Sequence, residues 1–195
     1  MKKIILSCLL LIGMTALSFA EEVKTKMFCN VDVGTGTFIE FDSKNKTTLL
    51  INPVLLSLQG TRTFNKFSAY KFAVDVIFPY NFLLISKGAT ENVSKLVDSS
   101  IGMQFFVGGS FCIINKDNHF MDFGGGFHFF MLSLKTGSQS VYNLGLGCCF
   151  SLDYKLQLNN LLFLNFGGKV SYDGFSVARV TYLSFNTNVG VGLKF

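Results

Sequence analysis

The groups that could do chemistry in this 195-residue chain are two histidines, five cysteines, twelve Asp or Glu and seventeen Lys or Arg. Their spacing assembles no metal site, because two isolated histidines with no ligand-spaced partners do not make one. Gly124-Gly125-Gly126 is not a phosphate loop, since neither a following helix nor a Lys-Ser/Thr completes it. Cys148 and Cys149 are chain neighbours and on a strand would point to opposite faces. No cofactor, metal or catalytic residue is expected. Chemistry must therefore be sought in how the elements gather Asp, Lys and His together.

Composition limits those elements. Only 15% of residues are charged, against about 25% in a typical globular domain. There are 23 Phe, 19 Gly, two Pro and no Trp. So apolar a chain is not disordered, and it is neither collagen-like nor a cysteine scaffold. The formal charge of +5 is not gathered into a basic run, so no nucleic-acid partner is expected.

Met1-Lys2-Lys3, the apolar run Ile4 to Leu17 and Ser18-Phe19-Ala20 have the form of a secretory signal peptide cut after Ala20. A lipoprotein cut before Cys8 would leave too short an apolar run. The expected organisation is a cleaved segment at 1–20 and one domain at 21–195. After residue 20 no apolar stretch is long enough for a transmembrane helix.

What repeats instead is a period of two, in eight segments. In the first, Met27, Cys29, Val31, Val33, Thr35, Thr37, Ile39 and Phe41 oppose Asn30, Asp32, Gly34, Gly36 and Glu40. In the third, Tyr70, Phe72, Val74, Val76, Phe78 and Tyr80 oppose Lys71, Ala73 and Asp75. Later segments oppose Phe105, Phe127, Leu146, Phe166 and Phe185 to Gln104, His128, Gly147, Lys169 and Asn186. The second segment, Thr47 to Leu58, is irregular: Leu49 and Ile51 are odd, while Val54, Leu56 and Leu58 are even. A one-residue bulge at Asn52-Pro53 would put all five on one face.

The polar face is Gly, Ser, Asn and a few charges, which suits a narrow lumen better than bulk water. The segments, about 12–16 residues each, exceed ordinary globular strands. Tyr70 and Tyr80, and Tyr142 and Tyr154, bracket their apolar faces, with Tyr172 on a later segment. At about 3.3 Å rise per residue, each pair brackets the roughly 25 Å apolar band of an outer-membrane barrel. The expected fold is all-β, an eight-stranded antiparallel up-and-down transmembrane barrel.

Val189-x-Val191-x-Leu193-x-Phe195 resembles the C-terminal assembly signal of bacterial outer-membrane proteins, and the whole pattern resembles the small eight-stranded barrels of the OmpX, OmpW and OmpA membrane-domain type. The resemblance implies an outer-membrane location, contact with outer-leaflet lipids, and handling by the barrel-assembly machinery through the last strand. It also implies a monomer with both termini in the periplasm. Short turns would then lie on the periplasmic side, and the long connection Asn81 to Ser100 would face outward.

Asp32, Lys71, Asp75, Asp122, His128, Asp153 and Lys169 are expected to face inward as a polar network. Some barrels are lipid-modifying hydrolases with His and Ser on the outer face; an inward, mid-strand His128 does not meet that geometry. Cys29, Cys112, Cys148 and Cys149 are expected to be free thiols, since Cys112 and Cys149 lie two strands apart. The first functional expectation is a non-catalytic barrel acting through its outward loops. A narrow pore or lateral passage for small or hydrophobic molecules, as in OmpW, is the second. The third is a secreted soluble barrel holding a lipid, in which Asp75 and Lys169 would be exposed and the Phe rows enclosed.

Overall fold

The computed structural model describes residues 25–116, 118–176 and 180–195. The expected signal segment, 1–20, lies outside the described residues. The chain forms strands β1 (Met27–Asp42), β2 (Thr47–Thr63), β3 (Ser68–Ser86), β4 (Ala89–Asn92), β5 (Ser99–Asn115), β6 (His119–Thr136), β7 (Gln139–Gln157), β8 (Leu162–Ser176) and β9 (Thr181–Lys194). All but β4 form one wall in the order β2-β1-β9-β8-β7-β6-β5-β3, and β2 pairs with β3 to close it. Every pairing is antiparallel. Closure leaves no free edge. The short β4 pairs with β3 alone, above the wall.

Alternation decides which residues face where. Phe127 is 62% exposed and Val107 61%, while Asp32 and Asp153 are 0% exposed. Tyr70, Tyr80, Tyr142 and Tyr172 stand on the outer face with the Phe, Val and Leu rows. Asp75 and Lys169 are buried, which overturns the reading of a soluble barrel with an apolar interior and a charged exterior. The two ends differ in form. Turns 64–67 and 158–161, with Lys116 and Asn118, share one end with Lys26 and Phe195; connections 43–46, 87–98 and 137–138 form the other. We call them the turn end and the loop end.

The irregular second segment resolves in an unexpected way. The β2–β3 register does shift at Asn52/Pro53, but Asn52 pairs with Asn81 and Pro53 with Pro79. The extra residue is therefore Tyr80, on β3. β2 keeps its parity, and Ile51 is buried in the lumen with Leu49 packed beside it, rather than turned outward with Val54. The expected Asn81–Ser100 connection is shorter, because β3 runs on to Ser86. β2 likewise runs past Leu58, to Thr63.

Candidate functional site

The lumen is filled in layers. At the turn end Phe28 meets Phe120 at 4.6 Å and Phe163 edge-on at 5.4 Å, with Ala69 and Cys112 alongside. At the loop end Phe38, Ile51, Leu55, Ile77, Phe82, Phe130, Leu132, Val180 and Tyr182 form a second apolar plug. The interior is thus not small and polar throughout, as alternation against Gly and Asn implied. An eight-stranded barrel must be filled by side chains along its whole length, and Phe fills space well.

Between the plugs lies the polar network, and all seven residues assigned to it are buried. Lys71 of β3 reaches past β5 to Asp122 of β6 at 2.7 Å and to Asp153 of β7. Lys155 of β7 takes the second oxygen of Asp122 at 2.9 Å, with its ammonium also over the Phe28 and Phe120 rings. Lys169 of β8 crosses to Asp75 of β3, with oxygens at 2.7 and 2.9 Å, and Ser57 of β2 donates to the same carboxylate. Each buried ammonium thus meets carboxylate, as burial of charge requires. Because several partners sit on strands that are not neighbours, the pairs tie opposite walls together.

Asp32 is held differently. Its carboxylate accepts from Asn30 at 2.8 Å, Gln59 at 2.8 Å, Asn165 at 2.9 Å and Asn188. These amides come from β1, β2, β8 and β9. Gly190 leaves room for it, since a Cβ there would lie 2.1 Å from Asp32 Oδ1.

His128 donates through Nδ1 to Asp173 Oδ1 at 2.7 Å. Asp173 escapes the sequence reading because the alternation of the seventh segment ends at Tyr172, one residue short of it. A bulge places two β8 residues, Asp173 and Gly174, opposite the single Gly147, between the pairs Leu146–Phe175 and Cys148–Tyr172. Gly147 itself stands opposite His128. Lys155 was missed as well, although it shares the parity of Asp153. The pair His128–Asp173 orients an imidazole, but both groups are enclosed between the apolar plugs and no nucleophile bonds to the ring. Among the described residues no three metal-ligating His, Cys, Asp or Glu side chains come together. None of the four described cysteines is in a disulfide, and Cys112 and Cys149 lie in the lumen. His119 sits at the turn end, bonded to the Tyr154 hydroxyl at 2.6 Å.

No family model matches this chain, and no curated protein matches it. Solved structures do. The outer membrane protein OprG from Pseudomonas aeruginosa is 10% identical with a TM-score of 0.65, over 87% of this chain and 95% of that one. Neisserial surface protein A is 11% identical with a TM-score of 0.61, over 86% and 97%. Ail, the attachment invasion locus protein of Yersinia pestis, is 14% identical with a TM-score of 0.54, over 86% and 98%. At such identities the likeness is one of fold. The chain has the fold of the small eight-stranded outer-membrane barrels.

Proposed function

We propose that this protein is an integral barrel of the bacterial outer membrane, exported by its first twenty residues, with no catalytic role. Its lumen is a structural plug, and its contacts with the outside are made by the loop end. The observation that carries this is the pair of cross-lumen bridges, Lys71 to Asp122 and Asp153, and Lys169 to Asp75. They lie between two apolar plugs and leave no wide path along the axis. Tyr70, Tyr80, Tyr142, Tyr154 and Tyr172 serve as the aromatic girdle, where a ring that is apolar along its body and polar at its tip is favoured. Val189, Val191 and Leu193, on the outer face of β9, with Phe195, serve the assembly machinery. The working unit is a monomer among outer-leaflet lipids.

Fractionation into the outer membrane, a heat-modifiable band on gels and an N-terminus at Glu21 test the membrane reading. Planar-bilayer recording of the reconstituted protein tests the plug. The expected trace is silent, and steady single-channel steps would defeat the plug reading.

A second reading, lateral passage of small hydrophobic molecules, has one observation in its favour. The β1–β2 ladder lapses between Thr35–Val54 and Phe38–Ile51. A groove of about 670 Å³ on the outer wall begins there, lined by Thr35, Gly36, Thr37, Asn52 and Tyr80. Uptake of an apolar dye into vesicles that depends on the protein would favour it.

A further inference from the structure

Charge in the lumen is matched at every buried carboxylate but one. Asp122 and Asp153 face Lys71 and Lys155, Asp75 faces Lys169, and Asp173 faces His128. Asp32 bonds no cation among the described residues; amide N–H groups alone reach it. Three of those amides leave their oxygen unmatched. No donor among the described residues reaches Oδ1 of Asn30, Asn165 or Asn188, and Asn30 and Asn165 are buried. A buried acceptor without a donor is costly, and a buried charge without a counter-charge more so.

Two oxygens also converge on one space. Asp153, Gly167 and Asn188 stand side by side in register on β7, β8 and β9. The nearest atoms to a Cβ on Gly167 would be Asp153 Oδ1 and Asn188 Oδ1, the latter at 2.8 Å. Asn165 Nδ2 links the two carboxylates beside it, at 2.9 Å from Asp32 Oδ2 and 3.4 Å from Asp153 Oδ1.

We propose that this cage binds a hard cation, sodium, between Asp32, Asp153 and the amide oxygens around them. Carboxylate and amide carbonyl oxygens are the donors that hard cations take. Asn188 Oδ1 already faces the Gly167 space. Asn30 and Asn165 join by turning their amides over, which exchanges Nδ2 for Oδ1 at the side of Asp32; such terminal torsions are broad and roughly two-fold. Charge selects a single positive, because Asp153 is shared with Lys71 and Asp32 is the one carboxylate left over. Phe28 and Phe163 stand between the cage and the turn end, so the ion is enclosed as the barrel folds. It then ties β1 to β7, β8 and β9.

The test is urea unfolding of the full barrel in phosphatidylcholine vesicles, with sodium replacing choline stepwise at fixed ionic strength. The folding equilibrium constant should rise about tenfold per tenfold of sodium above the dissociation constant, the linkage of one bound ion. Asp32→Asn removes the unmatched charge and should abolish this dependence. Asp75→Asn with Lys169→Met deletes a matched pair elsewhere in the lumen and should keep it. Equal midpoints in sodium and choline would overturn the proposal, and are the result expected if Asp32 loses its charge to a proton. Stabilisation by calcium and not by sodium would overturn the assignment of a single charge. If Asp32→Asn does not fold, Asn188→Asp takes its place. A second unmatched carboxylate facing the Gly167 space should turn the dependence from sodium to calcium, and an unchanged sodium response would show that the ion binds elsewhere.

Discussion

Pro53 and Pro79, the only two prolines of the chain, stand directly opposite each other across β2 and β3. Their carbonyls turn apart: Thr35 of β1 donates its hydroxyl to Pro53 O at 3.1 Å, and Ser100 of β5 donates to Pro79 O at 3.2 Å. In an antiparallel strand the N and C=O of a residue face the same way. The missing N–H groups therefore face β1 and β5, not each other. The β1–β2 pairing lapses beside Pro53, and the β3–β5 pairing ends at Ile77, two residues before Pro79. Thr35→Val leaves the Pro53 carbonyl without its acceptor bond and should cost about 1 kcal/mol. Urea unfolding in vesicles reads this, and an unchanged midpoint would show that the hydroxyl does not support the wall.

The buried cluster at Lys71 gives a larger effect. Lys71→Met leaves Asp122 with Lys155 and removes the only cation that bonds Asp153 among the described residues. Breaking one partner of a buried pair costs roughly 3–5 kcal/mol, so the variant should lose much of its folded band at moderate urea. Adding Asp153→Asn to Lys71→Met should recover part of the loss, because the stranded carboxylate is then neutral. Equal stability of the single and double variants would mean that Asp153 does not need Lys71.

Alternation alone identifies the face of Asp32, Lys71, Asp75, Asp122, His128, Asp153 and Lys169, because successive residues on a strand must point to opposite sides. It fails where register slips. Tyr80 is an extra residue, so Phe82 turns inward although Phe78 and Tyr80 are outward. The β8 bulge sets Asp173 against His128 in the same unpredictable way. Alternation also cannot tell lipid-facing Leu from plug-forming Leu, so it groups Leu49 and Ile51, which pack in the loop-end plug, with the outward Val54, Leu56 and Leu58. Partnerships such as Lys169 with Asp75 follow from closure of the sheet, and no local pattern encodes them.

The β1–β2 loop supplies a pH effect outside the membrane-spanning wall. Asp42 accepts from the backbone N–H of Asn45 at 3.2 Å and of Lys44 at 2.9 Å, and from the Asn45 side chain at 2.6 Å. The Asn45 bonds, backbone first, hold its carboxyl below the usual range. A depressed folded value means that the ordering of this turn is present above the unfolded carboxyl value of about 3.9 and is lost as pH falls through the folded one. The Lys44 and Asn45 amide resonances should therefore stay fixed from neutral pH down to about 4 and move only below it. Asp42→Ala should free these amides at every pH while leaving barrel stability unchanged. A shift centred near pH 6 would exclude this carboxylate as the cause.

Gly108 and Gly126 pair across β5 and β6, and their close approach sets a final limit on the wall. A Cβ at Gly126 would lie 2.2 Å from the Val107 carbonyl oxygen and 2.5 Å from Gly108 Cα; one at Gly108 would lie 2.3 Å from the Gly125 carbonyl oxygen. These are backbone atoms, which a rotamer change cannot move aside. Gly125 differs: the nearest atoms to a Cβ there are the Phe150 ring carbons at 3.3 and 3.4 Å, which can turn aside. Gly126→Ala should therefore destabilise by about 3 kcal/mol, the upper range for overpacking. Gly125→Ala, one residue away and with the same propensity change, should be nearly neutral. Comparing the two midpoints in one unfolding series separates steric exclusion from the general cost of losing glycine. If both variants fall equally, close backbone approach at the Gly108–Gly126 pair is not what requires glycine there.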